Sequence, residues 1–499
     1  MINSKECEFI SITVNNKLNS KELMSMVFSA FPVLTCIIEF LFASALTEKD
    51  DPPSILPTTL CSTSHTHLPN ILIQSASFGN TLVSVTVNPE KGLVDEQLSV
   101  SVSGLKPEEN VTVSATIEQS SKKRETVFRS FGHFKASVDG CVNLVTDPCL
   151  AGTYSGIDPM GLFWSMTQVV GKHGRIMTHD ATKSLDYTVM VHPGHISQNS
   201  EFTSDIKPLA TKLVPRSFMR SGVRKITVYH GRLRGSLFIP SDETTNRRRR
   251  QYPAVIDLSG STGSLIESRG ALLASHGFIT LSLAYFAYED LPSAITDVDF
   301  EYFEEAIEWL INHEQVSSEK GIGVLGTSLG GIIALYIAKE CPQVSAVISI
   351  NASPAFFVFS IRHNGKQIPS SPLECGSFEL KDDGSLLALW KVDESKLFYF
   401  DETCRSKVLF LISGDDQVVY TSDYYLWFDK LTPAKRKDVE FVMYEDAGHL
   451  LEPPYTPLFN TCYAALYGRP TVFGGYPRPH AEAQEKSWLK IREFFAENL

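Results

Sequence analysis

A chain of 499 residues, 43% apolar and 20% charged, is long enough for about two to four domains with ample core. Its net charge of −12 argues against a general nucleic-acid binder, because such a surface repels phosphate. The nine cysteines are odd in number and form no C-x-x-C pair, which fits free thiols in a reducing compartment better than a disulfide framework or a zinc site.

The first segment, residues 1–70, is set apart from the fold. Within it, residues 23–46 are apolar and long enough to span a bilayer, although Pro32 and Glu39 interrupt the run. The flanks mix lysine with glutamate and lack the Arg-rich, acid-poor character of a transit peptide. A signal anchor, an uncleaved targeting segment and a non-native extension are all open, and membrane contact through 23–46 is one expectation. Residues 47–70, rich in Pro, Ser and Thr, read as a linker.

From about Ser75 the pattern turns to period two. Leu98–Ser103 and Val111–Ile117 alternate around the turn Gly104-Leu105-Lys106-Pro107, which predicts a small antiparallel β-sandwich over 71–210. Asp158-Pro159-Met160-Gly161-Leu162-Phe163-Trp164 reads there as a core aromatic cluster after a turn.

From about Ile226 strands alternate with helices, which defines a second domain over 211–499. Ala254–Leu258, Phe278–Leu283, Gly321–Leu325, Val344–Ile350, Val408–Ile412 and Val439–Met443 are buried-strand runs; Arg269–His276, Asp299–His313 and Glu485–Asn498 are helical. The basic run Arg247–Arg250 reads as a solvated loop. Repeated βα units imply a mostly parallel sheet covered on both faces.

One stretch organises this domain. Gly326-Thr327-Ser328-Leu329-Gly330-Gly331 has the form Gly-x-Ser-x-Gly and lies between a strand run and the apolar helix Ile332–Lys339, which stops at Cys341-Pro342. Strand, sharp turn and helix make a nucleophile elbow, and with the βα units they predict an α/β-hydrolase fold. A hydroxyl projecting from a tight turn needs neighbours without bulk, and the helix start offers free N–H groups to an oxyanion.

In that fold the acid and the histidine follow the serine in chain order. His363, His449 and His480 follow Ser328; His449 stands just past the last strand, whereas His480 lies among Pro477 and Pro479 with no strand before it. The acid should leave the strand ending at Ile412, where Asp415 and Asp416 are both available; Asp416 is preferred and Asp415 is its rival. The oxyanion donors should be the backbone N–H of Leu329 and one from the Ser261-Thr262-Gly263 loop, with Thr262 taken as the second donor.

From about residue 80 onward the chain resembles the type I acyl-CoA thioesterases and bile acid-CoA:amino acid N-acyltransferases. The resemblance rests on Leu93-Val94-Asp95-Glu96, Asp158–Trp164, Gly231-Arg232-Leu233-Arg234-Gly235, Tyr285–Pro292 and Gly448–Tyr455. It implies an N-terminal β-sandwich before an α/β-hydrolase domain, with Ser328 as nucleophile, Asp416 as acid and His449 as base. It also implies an acyl thioester of coenzyme A as substrate, with no metal and no cofactor beyond that substrate. In amino-acid-conjugating relatives the nucleophile is typically cysteine, so a serine favours hydrolysis. The alternatives are N-acyl transfer to glycine or taurine, a general carboxylesterase, and an inactive acyl-CoA-binding module. An intracellular location is expected, although Glu497-Asn498-Leu499 is not a peroxisomal address of the Ser-Lys-Leu type.

Overall fold

The computed structural model describes residues 82–119, 125–196, 202, 206–241, 251–357, 359–401 and 403–499. The apolar segment 23–46, the linker 47–70 and the basic run Arg247–Arg250 lie outside them.

The period-two runs become strands that pair as sheets. Ser99–Ser103 sits between Ser84–Asn88 and Val142–Asn143 in a three-stranded antiparallel sheet. A second, six-stranded sheet has the order Gly92–Leu93, Ala210–Ser217, Leu185–Pro193, Asn110–Glu118, Val127–Lys135 and Thr167–Val170. All its pairs are antiparallel except the short first one. Alternation aims Val100 and Val102 of one sheet, and Val111, Val113 and Ala115 of the other, into one shared core. The Asp158–Trp164 stretch closes one side of that core. Gly161–Trp164 is a single helical turn, with Leu162 and Phe163 buried. Asp158 holds it by accepting from Met160 N at 3.0 Å and from Trp164 Nε1 at 3.0 Å.

Ala210–Ser217 still pairs within the sandwich, and the next strand opens a new sheet. We number its eight strands β1 (Arg224–His230), β2 (Leu233–Ile239), β3 (Ala254–Leu258), β4 (Ile279–Ala284), β5 (Ile322–Thr327), β6 (Val344–Ile350), β7 (Lys407–Ser413) and β8 (Val439–Tyr444). Their order is β1-β2-β4-β3-β5-β6-β7-β8. β2 runs antiparallel to both neighbours; from β4 to β8 every pair is parallel. The apolar runs of β3 to β7 follow from that position, since strands covered on both faces need no polar alternation. The covering helices are α1 (Ser268–Ser275), α2 (Glu301–Ile311), α3 (Leu329–Glu340) and α4 (Pro477–Asn498). This strand order, with its elbow between β5 and α3, is an α/β-hydrolase fold.

Two features differ from expectation. Helix α4 begins at Pro477, eight residues before the expected start at Glu485, because a proline in the first helical turn removes only an N–H that has no intrahelical acceptor. The long connection between β6 and β7 builds a hairpin, Gly376–Leu380 with Leu386–Trp390, which joins Arg469–Val472 and Thr461–Ala464 in a four-stranded sheet. No helix among the described residues is long and apolar enough to cross a membrane.

A buried carboxylate ties the sandwich to the hydrolase domain. Asp95 Oδ2 lies 2.6 Å from His276 Nε2 after α1 and accepts from Trp488 Nε1 of α4 at 2.6 Å. Burial raises the Asp95 carboxyl, but the bonds from His276 and Trp488 outweigh it and hold the group below its ordinary value. Such a group stabilises the fold fully above the unfolded carboxylate value of ~4 and loses that contribution as pH falls through its folded value. Asp95→Ala should lower the unfolding free energy at pH 7 by about 2–4 kcal/mol, since the buried Trp488 N–H and the partly buried His276 both lose their acceptor. Urea titration checks this, and the gap between wild type and Asp95→Ala should narrow below pH ~4.

Candidate active site

The site starts from one strained residue. Ser328 has φ 54° and ψ −124° between the end of β5 and the first residue of α3. Its N–H donates to Ile350 O of the neighbouring β6 at 2.8 Å, and its carbonyl accepts from Gly331 N at 2.8 Å. The reversal brings backbone against backbone, which explains the glycines. A Cβ at Gly326 would collide with the Gly330 carbonyl, and one at Gly330 with the carbonyls of Leu258 and Ser259. Gly331 would meet Ala352 Cβ at 2.7 Å. As the first residue of α3, Leu329 carries a backbone N–H with no acceptor inside the helix.

Arg269 of α1 stabilises the strand ends beneath the turn. Its guanidinium forms an ion pair with Asp257 of β3 at 2.6 Å, donates to Leu258 O at 3.0 Å and bonds the Thr327 hydroxyl next to Ser328. The loop after β3 faces Ser328: a Cβ on Gly260 would stand 3.4 Å from Ser328 Cβ and 3.9 Å from its Oγ. Ser261 and Thr262 line the same cleft as Ser328, so the loop expected to supply an oxyanion donor is at the site. The Tyr285 hydroxyl donates to Ser259 O at 2.6 Å and fixes the base of that loop.

His449 stands on the loop after β8, in the cleft with Ser328, and is only 2% exposed. Its Nδ1 lies 2.7 Å from Asp416 Oδ2. The other Asp416 oxygen accepts from Val418 N at 2.7 Å and Val419 N at 3.0 Å. Asp415 turns the other way, accepting from Gly475 N at 2.7 Å and from Gln417 Nε2 at 2.8 Å. Adjacent residues in the same turn thus serve two different loops, and Asp416 is the one brought to the imidazole. His480, the histidine among the prolines, lies in the first turn of α4, where its Nδ1 accepts from Gly448 N at 3.1 Å. His363 is elsewhere, its Nδ1 3.1 Å from the Tyr336 hydroxyl.

Several residues that sequence reasoning passed over hold this arrangement. Asn351, at φ 51° just beyond β6, donates to His449 O at 2.8 Å and accepts from Ser413 N at 2.8 Å. It joins the ends of β6 and β7 to the histidine loop, and its positive φ immediately after a strand is a conformation that Asn tolerates better than most residues. His449 N donates to Phe473 O at 2.8 Å, and the Phe473 ring lies against the imidazole with centroids 5.9 Å apart.

The cleft is walled by both domains. The sandwich contributes Val94, Ile176, Met177, Leu185 and Tyr187; the histidine loop contributes Leu450, Leu451 and Pro453. Arg175 reaches in from the sandwich and is paired with Glu452. The Cys462 thiol is buried in the same wall, and burial pushes its pKa up. An alcohol on a strained turn, an imidazole with a carboxylate behind it and an apolar groove alongside form an arrangement suited to nucleophilic acyl transfer.

Comparison with known families agrees with that chemistry. Residues 95–230 match the acyl-CoA thioester hydrolase/BAAT N-terminal region, and residues 298–499 match the BAAT/acyl-CoA thioester hydrolase C-terminal region. Acyl-coenzyme A amino acid N-acyltransferase 2 of Mus musculus is 34% identical over 430 residues, covering 84% of this chain and 98% of the relative.

The chain belongs to the BAAT/acyl-CoA thioester hydrolase family.

Relatives named as thioesterases are similar to it as well. The mitochondrial acyl-coenzyme A thioesterase 2 of Mus musculus is 33% identical over 429 residues, covering 85% of this chain and 91% of the relative. Acyl-coenzyme A thioesterase 1 of Homo sapiens is 31% identical over 413 residues, covering 81% and 94%.

The elbow geometry predicts an asymmetry between neighbouring glycines and ordinary helix positions. Gly330→Ala should destabilise the protein by more than about 3 kcal/mol, because the methyl group meets fixed backbone carbonyls that cannot move aside. Ala334→Gly, four residues on in α3, should cost only about 1 kcal/mol beyond its lost methyl packing. Thermal melting of the two variants compares them directly.

Proposed function

We propose that this chain is an acyl-CoA thioesterase that works through an acyl-serine intermediate on Ser328. The observation that carries the reading is the 2.7 Å bond between Asp416 and the Nδ1 of a buried His449, in a cleft that the histidine shares with Ser328. With Nδ1–H given to the carboxylate, Nε2 is the free base. It takes the Ser328 proton as Oγ attacks the thioester carbonyl, and Asp416 stabilises the imidazolium that forms. The backbone N–H of Leu329 and one from the Ser261–Thr262 loop receive the oxyanion. Coenzyme A leaves as the thiol after taking the proton back from His449, and a water activated by the same imidazole releases the free acid. The apolar walls from Val94, Met177, Leu185 and Leu451 suit a fatty acyl chain. The substrate, an acyl-CoA, and an intracellular setting are supported by the names of relatives, one of them mitochondrial.

N-acyl transfer to glycine or taurine is the second reading, favoured by the N-acyltransferase relatives. The residue at 328 separates the two. An acyl-serine is an oxygen ester, a poorer donor to amines than the thioester a cysteine would form, because thiolate is the better leaving group.

Four substitutions test the reading. Ser328→Ala should abolish acyl-CoA hydrolysis and fluorophosphonate labelling while the melting curve is retained. Asp416→Asn should lower kcat by up to about 10⁴-fold, the loss that the same change causes in a serine-protease triad, whereas Asp415→Asn should cost far less. Wild type supplied with a long-chain acyl-CoA and millimolar glycine or taurine should yield free acid and coenzyme A in near-equal amounts by mass spectrometry. Ser328→Cys should shift the product toward the amide. Mostly N-acyl amino acid from wild type would contradict hydrolysis, and the reverse ranking of the two aspartate variants would move the acid to Asp415.

A further inference from the structure

A second histidine lies behind the first. His480 is 1% exposed in the first turn of α4. Its Nδ1 accepts the Gly448 N–H at 3.1 Å. Gly448 immediately precedes His449. We propose that His480 is a positioning residue for the acyl-transfer reaction, clamping the backbone just before His449 so that its imidazole stays aimed at Ser328. The inference rests on the reading of His449 as the base.

The chemistry of the clamp is specific. A backbone N–H can only donate, so the Nδ1 it reaches carries no proton. The ring proton is therefore on Nε2, and the imidazole is neutral. Burial agrees with this, pushing the His480 pKa down to about 4. An apolar side chain would fill the volume but leave the Gly448 N–H buried without an acceptor. From the opposite side, a Cβ on Gly448 would collide with the Gly474 carbonyl, so this loop has no slack in either direction. His449 itself is pinned by Phe473 O on its N–H and by Asn351 Nδ2 on its carbonyl. His449 is thus held directly by Phe473 and Asn351, and His480 holds the residue before it. Releasing Gly448 lets the peptide before His449 rotate, and a misplacement of ~1 Å in a reacting group can cost about 10²-fold.

The test uses the full-length protein with His480→Phe, His480→Asn and His480→Gln. Phenylalanine keeps the bulk and removes the acceptor for Gly448 N–H. Asparagine places its Oδ1 near the Nδ1 position and restores the acceptor for Gly448; glutamine reaches toward the Nε2 position and does not. For a long-chain acyl-CoA, kcat per fluorophosphonate-titrated site should fall about 10–100-fold in His480→Phe with KM within about twofold. His480→Asn should recover most of that loss, and His480→Gln less. The second-order rate of Ser328 labelling by the fluorophosphonate should fall in parallel. A loss of stability alone would shift the melting midpoint without this kcat–KM split or the Asn rescue. A folded His480→Phe with kcat within about threefold of wild type would overturn the proposal. If His480→Phe does not fold, Asn and Gln variants of equal rate would overturn it and a faster Asn variant would support it. Should wild type fail to hydrolyse acyl-CoA, the thioesterase reading falls, while the labelling rates still report whether His480 positions the base.

Discussion

Everything at the site depends on holding one residue with a β-carbon at positive φ. Ser328 at φ 54° is a conformation worth about 1–3 kcal/mol of strain, and it persists only because its surroundings over-determine it. The N–H of Ser328 is tied to β6, its carbonyl starts α3, and the turn is packed backbone to backbone at Gly326 and Gly330. Arg269 joins β3 to β5 below it, by a buried ion pair with Asp257 and hydrogen bonds to Leu258 O and the Thr327 hydroxyl. The result is a hydroxyl standing clear of the sheet beside the N–H of Leu329. A relaxed turn would give up both at once.

The imidazole is held by a different device. The ends of β6, β7 and β8 are tied together by Asn351, Asp415 and the Phe473–Gly475 segment. Asp415 and Asp416 divide the labour, one anchoring Gly475 and the other facing His449. The sandwich then completes the cleft. Its Arg175 meets Glu452 three residues past His449, and its Asp95 anchors α4, the helix that carries His480. The N-terminal domain is therefore part of the site's wall and of its support.

The fold was largely legible because its signals are local. Buried parallel strands show as unbroken apolar runs, sandwich strands as period-two runs, and the elbow as three glycines around one serine. His449 was legible through chain order. The choice between Asp415 and Asp416 was not settled by local pattern, because neighbours in a turn project in opposite directions and only the partner loops decide which one meets the imidazole. Asn351 and Arg269 were not legible as site residues at all, and His480 was weighed only to be set aside for want of a strand before it: each acts through a contact tens of residues away in sequence. The start of α4 was hidden by Pro477 and Pro479, which look like helix breakers until their place in the first turn is known.

The central claim is that the acyl group passes through Ser328. Rapid quenching of the protein with a long-chain acyl-CoA, followed by tryptic digestion and mass spectrometry, reads this directly. The peptide Gly321–Lys339 contains Ser328 and no internal lysine or arginine. The account predicts a transient acyl adduct on Ser328 that decays at the rate of free-acid release. An adduct on the buried Cys462 of the same cleft, with none on Ser328, would contradict it.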